Sequence, residues 1–166
     1  MRLKKIIKQL EGKFPLELAE EWDNVGLLLD STRREIKSIM LCLDITRDVV
    51  DKAVANKVDL IISHHPFIFS PLKKITTDEV NGEKILKLAR NNIAVYSMHT
   101  NIDSGIGGLN DFIIKKIGQE GKVFVISDNR CVELRKLVTG DLIDAKDKII
   151  NPLRIQKLKN FITIEE

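Results

Sequence analysis

Two histidines stand side by side in Ile61-Ile62-Ser63-His64-His65-Pro66, and the only other histidine, His99, lies four residues before Asp103. Neutral imidazole is the commonest side-chain metal ligand, and a neighbouring carboxylate adds the second donor type that divalent cations take. The alternative is a strand end capped by two solvated or hydrogen-bonded imidazoles, because zinc signatures need three or four ligands at definite spacings. Successive side chains of a strand point to opposite faces, so adjacent histidines do not easily chelate one ion in regular β geometry. Either the backbone kinks at Pro66, or the pair serves two ions about 3.5–4 Å apart, with one imidazole on each and a carboxylate nearby. Asp103 is the candidate carboxylate. His99 is either a further ligand or an acid–base group beside the ligands.

The elements that position these residues follow from apolar patterning. Val58 to Ile62 is a short, β-branched run that reads as a buried strand, and Pro66 forbids a further ladder donor. Around it the sequence predicts a strand over 37–43, a helix from about Thr46 to Asn56, a helix over 81–91 and a strand over 93–97. This alternation predicts an α/β fold, a mostly parallel sheet with right-handed crossovers and helices on both faces. Val49, Val50, Ala53 and Val54 form the sheet-facing stripe of one helix, and Ile85, Leu86, Leu88 and Ala89 that of the next. The three strands end on Asp44, on His64 and His65, and on His99 and Asp103. Ligands of open α/β sheets bind outside the carboxyl ends of the strands, so these groups converge where a site is expected. Asp44 also fits a second role, helping Thr46 to cap the following helix.

The flanks are less patterned. Leu3, Ile6, Ile7 and Leu10 predict an amphipathic helix over 3–13, and residues 16–22 one or two helical turns ending at Trp22. Asp23-Asn24 reads as a turn and Val25 to Leu29 as a strand. Ser104-Gly105-Ile106-Gly107-Gly108 lacks the dinucleotide GxGxxG spacing; it precedes a helix from Leu109 to Ile117, whose amino terminus can hold an anion. Beyond Gly118, Val123 to Ile126 and Cys131 to Val138 read as strands and Ile143 to Ile150 as a short helix. Pro152 breaks any element that would cross it, and Leu158 to Ile164 mixes signals.

With 43% apolar and 31% charged residues, the composition is that of a globular protein, not a disordered one. Lysine and arginine exceed the acids by 27 to 24 without segregating, which argues against a nucleic-acid surface; Arg33-Arg34, Lys73-Lys74 and Lys115-Lys116 read as solvated faces. Two cysteines make no disulfide framework, and no apolar run suits a signal peptide or a membrane span. A soluble cytoplasmic protein is expected.

Three stretches carry a resemblance to a known family: Glu21-Trp22-Asp23-Asn24-Val25-Gly26-Leu27, Asp59-Leu60-Ile61-Ile62-Ser63-His64-His65-Pro66 and His99-Thr100-Asn101-Ile102-Asp103, with Phe67-Ile68-Phe69-Ser70-Pro71-Leu72-Lys73 between. In this order and spacing, over about residues 1–118, the chain resembles the amino-terminal half of the Nif-three-like dinuclear metal-centre family, also known as GTP cyclohydrolase 1 type 2 homologues. The resemblance implies a metal-site α/β lobe over 1–118, with 119–166 a divergent or truncated segment of the same domain. It implies a homohexameric ring, and His64, His65 and Asp103 as metal ligands; His99 beside them is the catalytic candidate. Zinc, iron, nickel or manganese would suit, up to two ions per chain in a complete site. Members add a further His and Glu from a carboxyl-terminal half, and this chain has no fourth histidine.

Two functions are expected from that resemblance and these residues together. One is a metal-dependent hydrolase, cyclohydrolase-like, that turns a metal-bound hydroxide on a nucleotide or phosphoester. The other is a non-catalytic metal-binding module that interacts with or regulates a partner.

Overall fold

The computed structural model describes residues 1–33, 35–117, 122–127, 130–133 and 162–165. The chain divides into two compact units, Met1–Asn101 and Ile102–Glu166. The first runs α1 (Leu3–Lys13), a 3₁₀ turn (Leu16–Leu18), β1 (Gly26–Leu29), β2 (Ile39–Cys42), α2 (Arg47–Ala55), β3 (Leu60–Ser63), α3 (Val80–Arg90) and β4 (Ala94–Ser97). These are the expected elements, except that the helical turns expected over 16–22 shrink to Leu16–Leu18. Pro15 stops α1, and its φ of −51° starts that turn.

The sheet has the order β1-β4-β3-β2. β2, β3 and β4 are parallel, joined by α2 and α3, while β1 lies antiparallel on β4 with Gly26 opposite Ser97. Alternation along the strands assigns the faces. Ile61 and Val95 join Val50, Ala53, Ile85 and Leu88 in the core cluster beneath α2 and α3. Each of these valine, leucine and isoleucine side chains contributes about 1.5–3 kcal/mol when fully buried. Ala89, expected in the α3 stripe, is exposed instead; Gly82 joins Ile85 and Leu88 on the buried side. A Cβ at Gly82 would come within 2.1 Å of the Thr76 carbonyl, so glycine lets the loop before α3 lie directly on the helix. On the opposite face Tyr96 is buried, its hydroxyl donating to Glu11 on α1 at 3.4 Å, so helices do cover both faces.

At the amino end of β3, buried Asp59 accepts hydrogen bonds from Lys37 N at 2.7 Å and Ser38 N at 3.0 Å and pairs with Arg33 at 3.0 Å. This clamp fixes the connection into β2, the strand at the sheet edge. On β2, Met40 and Cys42 pack against the core while Ile39 and Leu41 are exposed, Leu41 by 75%.

The second unit contains most of α4 (Thr100–Ser104), α5 (Leu109–Ile117) and an antiparallel sheet β6-β5-β7 of Lys122–Ser127 (β5), Arg130–Glu133 (β6) and Ile162–Glu165 (β7). The expected Val123–Ile126 strand lies within β5 and the start of Cys131–Val138 within β6. Residues 134–138, the expected helix over 143–150, Pro152 and residues 158–161 lie outside the described residues. No described helix is long and apolar enough to cross a membrane.

Candidate metal centre

His64 and His65 follow the last residue of β3, and the backbone bends there. His64 N donates to Cys42 O and His65 N to Leu43 O, both at 3.0 Å. Successive N–H groups of a regular strand point to opposite edges, so two consecutive donations toward β2 require a turned backbone. The bend resolves the difficulty with adjacent histidines, and it occurs one residue before Pro66.

Two buried serines hold the loop beyond the bend. Ser63 Oγ donates to the His65 carbonyl at 2.9 Å. Because that uses its single proton, Ser97 Oγ donates to Ser63 Oγ at 2.8 Å and accepts from Phe67 N at 3.3 Å. The carboxyl ends of β3 and β4 are thereby tied to the residue after Pro66.

His99, two residues past β4, completes a cluster. One ligand atom from each of His64, His65 and His99 lies within 4.8 Å of the others, and the ring centroids are 5.1–5.5 Å apart. His64 and His99 are half-buried and His65 exposed. Every Nδ1 is engaged: His64 with the Met98 carbonyl at 3.1 Å, His65 with Asp44 at 2.7 Å, and His99 with both oxygens of Asp23 at 3.1 and 3.2 Å. A carbonyl or carboxylate accepts, so each Nδ1 carries the proton and the lone pair of the neutral ring lies on Nε2. Metal-binding histidines are oriented in this way, by a carbonyl or carboxylate on the nitrogen away from the ion. The donor set therefore fits a divalent cation.

Asp23 is the residue sequence reasoning missed. Read as half of a turn, it does accept from Asn24 N at 2.8 Å. Its side chain is also fully buried against His99 and takes hydrogen bonds from the Thr100 N–H, at 3.1 Å, and the Thr100 hydroxyl. Burial pushes its pKa up, but the bonds from Thr100, His99 and Asn24 outweigh that and hold the carboxyl below its ordinary value. The Thr100 bond also explains α4, to which the sequence pattern assigned no element. Its first amide is satisfied by an acid 77 residues away. The sole sequence signal for Asp23 is its place in the Glu21-Trp22-Asp23-Asn24 stretch.

Asp44 resolves toward the site. Thr46 alone caps α2, its hydroxyl accepting from Val49 N at 3.2 Å, while the Asp44 carboxylate orients His65. Asp103 is half-buried in α4, within the second unit, and its carbonyl accepts from Asn110 Nδ2 at 3.0 Å.

A family model described as Duf34/NIF3 (NGG1p interacting factor 3) matches residues 1–163, well past residue 118, where the sequence resemblance ends. The chain is 35% identical to a GTP cyclohydrolase 1 type 2 homolog of Clostridium acetobutylicum over 96% of its own length and 62% of the relative's. It is 42% identical to NIF3-like protein 1 of Drosophila melanogaster over 70% of this chain and 40% of that protein. Among solved structures, the Bacillus cereus protein related to NIF3 superposes with a TM-score of 0.65 at 36% identity, over 73% of this chain and 36% of that one. Reduced HcgD from Methanocaldococcus jannaschii does so at 0.68 and 35%, over 78% and 51%. The chain spans 30–62% of the length of the first three curated relatives.

Proposed function

The chain belongs to the Duf34/NIF3 family, and from that premise and its histidine cluster we propose that it is a divalent-metal protein acting as a hydrolase on a nucleotide or phosphoester. The observation that carries this reading is the set of three imidazoles, each with Nδ1 held by an oxygen, gathered within 4.8 Å at the carboxyl edge of the sheet. His64, His65 and His99 would supply the nitrogens, and Asp103 is proposed as a carboxylate ligand. His99 is assigned to the ligands because one of its ring nitrogens lies within 4.8 Å of those of His64 and His65, with Asp23 on Nδ1 orienting the ring.

A cation held there supplies Lewis acidity and makes water a nucleophile near neutral pH. The protein's part is orientation. Asp23 and Asp44 fix two rings and the Met98 carbonyl the third, and the bend after Ser63 turns His65 toward its neighbours. Nitrogens around a single tetrahedral ion lie roughly 3.3 Å apart. A spread of up to 4.8 Å therefore asks either for closure around one ion or for ligands divided between two about 3.5–4 Å apart. Imidazole with carboxylate suits zinc, iron, nickel or manganese.

The test is hydrolysis of a panel of nucleotides and phosphoesters before and after chelation, beside His65→Ala. Turnover abolished by both supports the hydrolase; tight metal retention with no turnover across the panel moves the assignment to a non-catalytic metal-binding module. The reading includes a homo-oligomer, a hexameric ring in the cytoplasm. Exposed Ile39, Leu41 and Leu43 along the edge strand support it. Sedimentation of Leu41→Glu should show smaller particles than the native chain.

A further inference from the structure

His65 and Asp44 also line a cavity of about 510 Å³. Small-molecule sites typically occupy ~300–1,000 Å³, mostly apolar with a few placed polar groups. Here Ile45, Phe67 and Ile85 give the apolar surface, and Thr46, Asn81 and Lys84 the polar groups. His65 lines the cavity and belongs to the histidine cluster, and Asp44, which also lines the cavity, is bonded to it, so the cavity lies beside the cluster.

Lys84 is unlike the other cations around it. Arg47 pairs with Glu83, Lys87 with Asp51 and Lys74 with Glu79. The Lys84 ammonium instead donates to the Ile45 carbonyl at 2.8 Å and lies 5.3 Å from the centre of the Phe67 ring. Among the described residues no carboxylate stands within ion-pairing distance of it. Burial first, and then the charge of Arg47, push its pKa down against the pull of Asp44, so an arriving anion would relieve an unfavourable environment. Thr46 contributes a hydroxyl whose oxygen accepts from Val49 N, which leaves its proton to donate.

Aromatic surface connects this cavity to the third histidine. Phe69 lines it and is 53% exposed; its ring centroid is 6.1 Å from that of Trp22, itself 58% exposed and edge-on to His99 at 6.2 Å. Two large aromatic side chains left in water beside a polar cluster suit a flat ligand that covers them.

We propose that the cavity is the organic-substrate pocket of this site, taking a small anion with a flat, unsaturated body whose negative group meets Lys84, whose body lies on Phe69 and whose other end reaches His65. Only the last element rests on the metal-centre reading. Lys84 and Phe69 are then specificity-determining residues, and the anion is a phosphate or phosphonate-like head group carried on a ring.

The probe is phenylphosphonate, a ring bearing a dianionic head that hydrolysis does not remove, titrated into chelator-stripped full-length protein by calorimetry and amide NMR. Saturable binding is expected, with shifts at Ile45, Thr46, Phe69 and Lys84. Lys84→Gln should weaken it about tenfold or more, as expected for loss of a hydrogen bond to a charged group, while Lys84→Arg keeps it. Phe69→Ser should weaken phenylphosphonate but leave inorganic phosphate unchanged. Equal binding by Lys84→Gln, or no binding by the native protein, overturns the proposal. Metal content is measured on separate, unstripped samples. Failure of the pocket with metal present, and success of the pocket with metal absent, are therefore distinct results.

Discussion

Asp59 at the amino end of β3 and Asp23 at the carboxyl edge of the same sheet are both inaccessible carboxylates held below their ordinary pKa, yet their partners differ in kind. Asp59 takes two backbone N–H groups and Arg33, whose Nε also donates to the Asn92 carbonyl; none of these groups belongs to the histidine cluster. Asp23 spends part of its capacity on an imidazole whose remaining nitrogen belongs to the cluster. One edge is closed by its acid, and the other is aimed by it. A buried acid or a lowered pKa therefore does not mark a site, because structural ion pairs shift pKa values as well; the chemistry of the partner separates the two edges.

The contrast is sharpened by substitutions at each edge. The largest effect is expected from His99→Ala, which should weaken metal binding about 100-fold or more, measured by competition with a chromophoric chelator, because it removes a ligand outright. Asp23→Asn should cost about 10–100-fold in the same assay by releasing the ring of His99.

Asp59→Asn should leave metal affinity unchanged and lower stability by about 2 kcal/mol in urea unfolding, since it weakens charge-assisted bonds to Lys37 N, Ser38 N and Arg33. Burial raises the pKa of Asp59, but those donors outweigh it and the folded value is depressed. Its contribution is therefore present above the unfolded pKa, about 3.9, and disappears as pH falls through the lower folded value. The stability difference between native and Asp59→Asn protein should be full at pH 6 and shrink below about pH 4. A metal defect in Asp59→Asn would erase the distinction between the edges. Smallest, Asp44→Asn should cost about tenfold in metal affinity, because His65 and Asp44 are 46% and 58% exposed and water can replace part of the bond.

The β-α alternation from residue 37 to residue 97 was legible because each element carries its own local period, and the histidines' place at a strand end follows from the short apolar run before them. The features that were not legible depend on distant partners. The bend at His64 and His65 is held by carbonyls of Cys42 and Leu43, so alternation along β3 left a kink and a two-ion arrangement as alternatives for adjacent rings. Asp23 meets His99 across 76 residues of chain, and no local pattern distinguishes that acid from one that merely makes a turn. Asp44, which the sequence left between a site role and helping Thr46 to cap α2, bonds His65 instead, and Thr46 caps the helix by itself. Ala89 stays exposed in the last turn of α3, while Gly82, two turns earlier on the same face, is buried against Thr76 beside Ile85 and Leu88.

The most direct measurement is metal per chain, by elemental analysis of protein purified without chelators or an affinity tag, beside the His64→Ala/His65→Ala double variant. One or two divalent ions in the native chain, none in the variant, and matching urea unfolding of the two metal-stripped proteins are the expected result. No ion in either protein, or an ion retained by the variant, would contradict a metal centre built on these histidines.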